Sequence, residues 1–229
     1  MPAPAGSFVP ARRRLTRRSR VLWGDEVGWY TDRVLPRIVD VALGKNVEST
    51  RAQVAKALSG TVLELGFGSG RNLPHYPVQV TDVLAVEPAD TARALAADRI
   101  NRSGVRVQFI GGDGAQLDLD SQTVDHALVT WTLCTIPDVG AALAETHRVL
   151  KPGGCLHFVE HGRSPRPGVA LWQTRLNPIW GRLFGGCHLD RPVTDLIDAA
   201  GFRLTALTTH TERPGELIGL MYQGVAIKQ

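Results

Sequence analysis

The stretch Thr61-Val62-Leu63-Glu64-Leu65-Gly66-Phe67-Gly68-Ser69-Gly70-Arg71 decides the fold. An apolar run of strand type feeds directly into glycines at alternate positions. The turn after a buried strand needs backbone angles that a side chain forbids, and bare backbone lets a ligand lie against the chain. A dinucleotide fingerprint, G-x-G-x-x-G, would need its third glycine at position 71, which Arg71 occupies. Here the third glycine is Gly70, and Glu64 stands two residues before Gly66. The spacing argues against a nicotinamide dinucleotide.

Outward from this loop, strand and helix patterns alternate. Strands are expected at 61–65, 83–87, 106–110, 124–130, 155–160, 202–207 and 220–227, with helices near 90–101, 139–149 and 193–200. Lys151-Pro152-Gly153-Gly154 reads as a helix exit and tight turn before the fifth strand. Upstream, Trp29, Val34, Leu35, Ile38, Val39 and Val41 to Leu43 recur at helical spacing, break at Gly44 and resume from Val54 to Leu58. Such alternation predicts a doubly wound α/β fold, a mostly parallel seven-stranded sheet with helices on both faces. The expected organisation is a disordered basic arm at 1–20, helices within 21–59, and the main domain at 60–229. Residues 162–191 interrupt the alternation after the fifth strand and read as a lid over the site, with Trp172, Leu176, Ile179, Trp180, Leu183 and Phe184 as an aromatic-rich stripe.

The net charge is +4, but residues 11–20 carry six arginines and no acid, so removing those six leaves −2 for the remainder. The basic balance belongs to the arm, which argues against a nucleic-acid-binding face and leaves acidic lipid or a partner protein as the arm's contacts. No apolar run reaches the 18 residues of a membrane-spanning helix. Arg17-Arg18 resembles a twin-arginine signal, but Asp25-Glu26 and Asp32-Arg33 stand where an apolar stretch should follow. Three cysteines, Cys134, Cys155 and Cys187, give an odd count without C-x-x-C, so a reducing cytoplasm is the expected location.

In an open parallel sheet, ligands bind beyond the carboxyl ends of the strands. The second strand ends at Glu87, the third at Gly111-Gly112-Asp113-Gly114, the fourth at Thr130 to Asp138, and the fifth at Glu160-His161. These motifs, with Arg148-Val149-Leu150-Lys151-Pro152-Gly153-Gly154, occur in an order and spacing that resembles the class I S-adenosylmethionine-dependent methyltransferases over residues 60–161. The 148–154 turn is similar to that of the ubiquinone/menaquinone C-methyltransferases. Glu160-His161, Trp172-Gln173, Asn177-Pro178-x-Trp180 and Gly186-Cys187-His188-Leu189-x-Arg191 resemble the membrane-associated alkyl-thiol methyltransferases called methyltransferase-like. The chain departs from the latter at its start, where an arginine arm replaces a hydrophobic anchor.

The resemblance implies S-adenosylmethionine as cofactor. It places cofactor contacts at Glu64, Gly66, Gly68, Gly70, Asn72, Glu87, Pro88, Asp113, Gly114, Thr130 and Leu133, and acceptor contacts at Cys134, Trp172, Trp180 and Cys187. Glu87 would accept both ribose hydroxyls, Asp113 the adenine amino group, and Asn72 would cap a short helix or touch the methionyl carboxylate. Glu160, on the opposite face of its strand from His161, would orient the lid or contact the cofactor. The implied reaction is methyl transfer to a small molecule, a thiol first, with carbon or oxygen of a quinone-like or phenolic ring as the alternative. His161 is the first candidate base, because an unperturbed histidine titrates near the pH at which a thiol must be deprotonated. His188 is the second. Cys187, His188 and His161 lack the spacing of a metal-ligand set, so no metal is expected. A silent cofactor-binding module is the competing class.

Overall fold

Seven strands form one sheet in the order β3-β2-β1-β4-β5-β7-β6. They are β1 (Gly60–Leu65), β2 (Val80–Val86), β3 (Arg106–Gly111), β4 (Val124–Thr130), β5 (Leu150–His161), β6 (Phe202–Thr211) and β7 (Leu220–Lys228). The first five run parallel, and β7 inserts antiparallel between β5 and β6. The computed structural model describes residues 30–44, 47–211 and 215–229. The arginine arm and Trp29 lie outside the described residues.

Both faces of the central strands β1 and β4 are buried, which explains their near-continuous apolar runs. Leu63, Leu65, Ala127, Val129, Leu156 and Phe158 meet Leu143 and Val149 of α4 (Val139–Val149) and Val193 and Ile197 of α6 (Val193–Ala199). The alternate residues Val62, Leu128 and Val159 share a second cluster with Val54 and Ala55 of α2 (Glu48–Ala55) and Ala96 of α3 (Asp90–Ser103). Preceding α2 are a π-helical turn (Tyr30–Val34) and α1 (Leu35–Ala42). Helix starts and stops follow local chemistry. Asp138 caps α4 by accepting from the Ala141 amide at 2.9 Å, and α3 ends where Gly104 turns left-handed at φ +70°.

Two strand expectations are revised. β5 starts at Leu150, not 155, because the 151–154 turn is absorbed as an irregularity in the β4–β5 register between Val124 and His126. β6 continues to Thr211, paired throughout with β7. The insertion after β5 holds a 17-residue helix, α5 (Pro167–Leu183), which accommodates Pro178 in its interior. A short α7 (Glu216–Gly219) follows β6. No helix among the described residues is long and apolar enough to cross a membrane.

Candidate functional site

β1 is flanked by β2 and β4, so the order of strands reverses at its carboxyl end and opens the crevice in which such sheets bind ligands. The glycine loop sits there. Its Gly66 and Phe67 amides donate to the Val86 carbonyl at 2.9 and 3.1 Å, tying the loop to the end of β2. Gly66 and Gly68 are left-handed, at φ +71° and +57°. A Cβ on Gly66 would run into the Thr132 side chain, whereas one on Gly68 would meet only the Gly66 carbonyl at 3.9 Å. The loop therefore packs tightly on one side and presents bare backbone to open space on the other. Glu87 lies at that lip, 7% exposed, with one carboxylate oxygen accepting from the Gly68 amide and the other from the Ala89 amide, both at 2.8 Å. Asp113 turns its own loop by accepting from the Ala115 amide at 2.9 Å, and Gly112 packs against Pro88.

Beneath the loop is a buried polar knot. Asn72 Nδ2 donates to Glu64 Oε1 at 2.7 Å and to Thr130 Oγ1 at 3.1 Å, and the Tyr76 hydroxyl donates to Glu64 Oε2. Arg51 donates to Asn72 Oδ1 at 2.8 Å and lies over the Trp131 ring. Burial pushes the Glu64 carboxyl up to about 7, against the pull of Tyr76, Asn72 and Arg51, and burial lowers the Arg51 guanidinium to about 10. The side chains of Glu64, Asn72 and Thr130 are thus engaged with one another, supporting the loop from below, and Asn72 makes no side-chain cap to the helical turn it precedes. Arg51 and Tyr76 went unrecognised in the sequence because they lie 13 and 12 residues from Glu64 in opposite directions and carry no motif.

A second construction stands at the ends of β4 and β5. Trp131 leaves β4 with φ +52°, a conformation that non-glycine residues avoid. Glu160, fully buried, accepts from the Thr132 and Leu133 amides at 2.6 and 2.9 Å, so it shapes this loop. Burial raises its carboxyl to about 7. The loop brings Cys134 to His161 and Cys187, with one ligand atom of each residue within 4.8 Å of the others. His161 Nε2 is 2.9 Å from Cys187 Sγ, and Trp180 Nε1 donates to the same sulfur at 3.3 Å. Cys134, His161 and Trp180 together hold the Cys187 thiol well below its ordinary range despite burial, and Cys134 is pushed up in return. Arg191, 9% exposed, also faces the two sulfurs and Glu160.

Other sequence candidates fall elsewhere. His188 is exposed, and its backbone amide donates to the Cys134 carbonyl at 2.9 Å. Trp172 is 56% exposed on the outer side of α5 with Arg175 over its ring, so it lines no wall of this corner. Leu133 is a fully buried core residue. Of two groupings among the described residues that could hold a metal ion, the one at this corner holds Cys134 with His161 and Cys187, and not His188.

Residues 63–158 match the methyltransferase domain family. The chain is 34% identical over 170 residues to the thiol S-methyltransferase TMT1B of Rattus norvegicus, an alignment covering 69% of each protein. It is 30% identical to human thiol S-methyltransferase TMT1A, over 73% of this chain and 70% of that one. A demethylmenaquinone methyltransferase of Roseiflexus castenholzii is 28% identical over 70% of this chain and 74% of its own. Among solved structures, an S-adenosylmethionine-dependent methyltransferase of Aquifex aeolicus superposes with a TM-score of 0.60 at 19% identity, covering 85% of this chain and 98% of its own. A geranyl diphosphate methyltransferase bound to sinefungin gives 0.64 at 13% identity, over 82% and 78%.

Proposed function

Because the chain belongs to the S-adenosylmethionine-dependent methyltransferases, we propose that its acceptor is a thiol and that the Cys134–His161–Cys187 corner is where the acceptor sulfur is received. The cofactor site fits its ligand. Gly68 leaves bare backbone facing open space, and the Glu87 carboxylate retains lone pairs for a ribose diol beyond the two amides it already accepts. Bound there, S-adenosylmethionine supplies a methyl group activated by its sulfonium.

The observation that carries the thiol reading is the convergence of an imidazole nitrogen at 2.9 Å and an indole N–H at 3.3 Å on one sulfur, beside the Arg191 guanidinium. These groups stabilise a thiolate on Cys187, and an acceptor thiol received beside it would meet the same donors and be favoured as the thiolate that attacks carbon. The corner adjoins the cofactor loop, since Thr132, two residues before Cys134, packs against Gly66. What remains for the protein is to hold the acceptor sulfur in line with the methyl carbon and to take up or share its proton. The relatives named thiol S-methyltransferase support the same reading.

Methylation of a quinone-like ring is the second reading, favoured by the demethylmenaquinone methyltransferase relative. Incubation with methyl-labelled S-adenosylmethionine and, side by side, a lipophilic alkyl thiol and a demethylated quinol tests the proposal. A labelled methyl thioether identified by mass spectrometry supports it. Label found only on carbon or oxygen of a ring acceptor refutes it.

A further inference from the structure

We propose that Cys134, His161 and Cys187 bind a soft divalent cation, zinc by their chemistry, and that its open fourth position takes the acceptor thiol as a thiolate. The inference rests on the thiol reading above for the acceptor, but the metal site stands on its own geometry.

Two sulfurs and one imidazole are the donors that select zinc over hard cations, and three protein ligands with one open position are the composition of a catalytic zinc site. In a tetrahedral site with bonds of about 2.0–2.3 Å, neighbouring ligand atoms stand roughly 3.5 Å apart. Here the three atoms lie within 4.8 Å of one another, and His161 Nε2 and Cys187 Sγ are 2.9 Å apart. Side-chain adjustments of under about 1 Å reach that geometry.

The ligands come from three separate elements, each fixed by bonds that do not involve an ion. Glu160 pins the loop of Cys134, whose carbonyl is held by the His188 amide. His161 ends a strand paired with Met221, and the Cys187 amide donates to the Phe184 carbonyl at 3.2 Å. Trp180 supplies the outer-shell hydrogen bond to a ligating sulfur that tunes such sites. Two thiolates neutralise a divalent ion. Glu160 Oε2 and Arg191 NH1 are both buried without a hydrogen-bond partner among the described residues, which leaves this corner with unspent polar capacity.

The acceptor R–SH would displace a water from the ion and lose its proton to solvent. Its sulfur then forms the bond to the methyl carbon as the carbon–sulfonium bond breaks, giving R–S–CH3 and S-adenosylhomocysteine with no change in oxidation state. The fourth ligand's negative charge offsets the positive charge of the sulfonium before transfer.

Metal content of the full chain, reconstituted with zinc and desalted, tests the site independently of turnover. The expected result is about one zinc per chain, with a thiolate-to-cobalt charge-transfer band in the near ultraviolet after cobalt substitution. Cys187→Ser and Cys134→Ser should each lose the band while retaining S-adenosylhomocysteine binding. A second grouping, His126, Cys155 and His157, supplies the control. Cys155→Ser should leave content and band unchanged, and loss there with retention in Cys187→Ser would overturn the assignment. In the unaltered chain, zinc should slow modification of two of the three thiols by a thiol reagent, and a chelator should restore it. Reactivity unaffected by zinc, with no stoichiometric metal, overturns the proposal even if thiols are methylated. Metal bound at this site with no thiol turnover keeps the site and rejects the acceptor's place on it.

Discussion

Arg71 grips Asp40 with two parallel hydrogen bonds, Nε to Oδ1 at 2.9 Å and NH2 to Oδ2 at 3.0 Å. The residue that breaks the dinucleotide spacing is therefore a clamp, joining the glycine loop to α1. Ser69 donates to the same carboxylate, and Arg99 of α3 stands 3.2 Å away.

Burial pushes the Asp40 carboxyl up, but the hydrogen bonds of Arg71 and Ser69 and the charge of Arg99 outweigh it and hold it at about 2. A carboxylate lowered on folding contributes stability that is complete above its unfolded value of 3.8 and is lost as pH falls through 2. Asp40→Asn should cost about 1–2 kcal/mol at pH 7, allowing for solvent screening, and the gap from the unaltered protein should close between those two pH values. Urea melts across that range check it. A gap that persists unchanged to pH 2 would mean that the carboxylate charge contributes nothing.

Glu64 has the opposite sign. Its carboxyl is raised on burial from 4.5 to about 7, so the stability linked to it is complete below 4.5 and is lost as pH rises through 7. Glu64→Gln keeps an acceptor for Asn72 and removes the titration. The unfolding free energy of this variant relative to the unaltered chain, from urea melts, should rise between pH 5 and pH 8 by an amount on the order of 1–2 kcal/mol. A constant difference across that interval would show that Glu64 does not change protonation there.

The glycine loop, the parallel strands and the residue at each strand end were legible because they are local: glycine spacing, apolar runs and turn residues stand next to each other in the chain. What stayed hidden depends on long closures. Cys134, His161 and Cys187 are separated by 27 and 26 residues, and only the β4–β5 pairing with the return of α5 brings them together. Trp172 and Trp180 share one apolar stripe in the sequence, yet on α5 the first is exposed and the second stands against Cys187. His188 is read in the sequence as a candidate base because it lies in the insertion; in the fold its amide is tied to the Cys134 carbonyl.

Glu87→Ala should weaken S-adenosylhomocysteine binding by about 1.5–3 kcal/mol, the scale of hydrogen bonds to a charged group. Calorimetric titration measures it. Because the carboxylate also fixes the Gly68 amide, Glu87→Gln should recover part of the loss. Equal affinity in all three proteins would remove Glu87 from the cofactor site.

His161→Ala should reduce kcat on a thiol by about 100-fold or more, within the range of a group that handles a proton or holds the nucleophile. S-adenosylhomocysteine affinity should stay within about threefold, since the ring faces Cys187 and not the glycine loop. Equal losses in both quantities, seen side by side in stopped assays and titrations, would make His161 a packing residue.

The most direct test of the account is the ratio of kcat/KM for a lipophilic alkyl thiol to that for a demethylated quinol, both read as S-adenosylhomocysteine release from the full chain. Thiol methylation predicts a ratio well above one and its collapse in His161→Ala. A ratio below one, unchanged by that substitution, would contradict the thiol site and leave the cofactor site serving a ring acceptor.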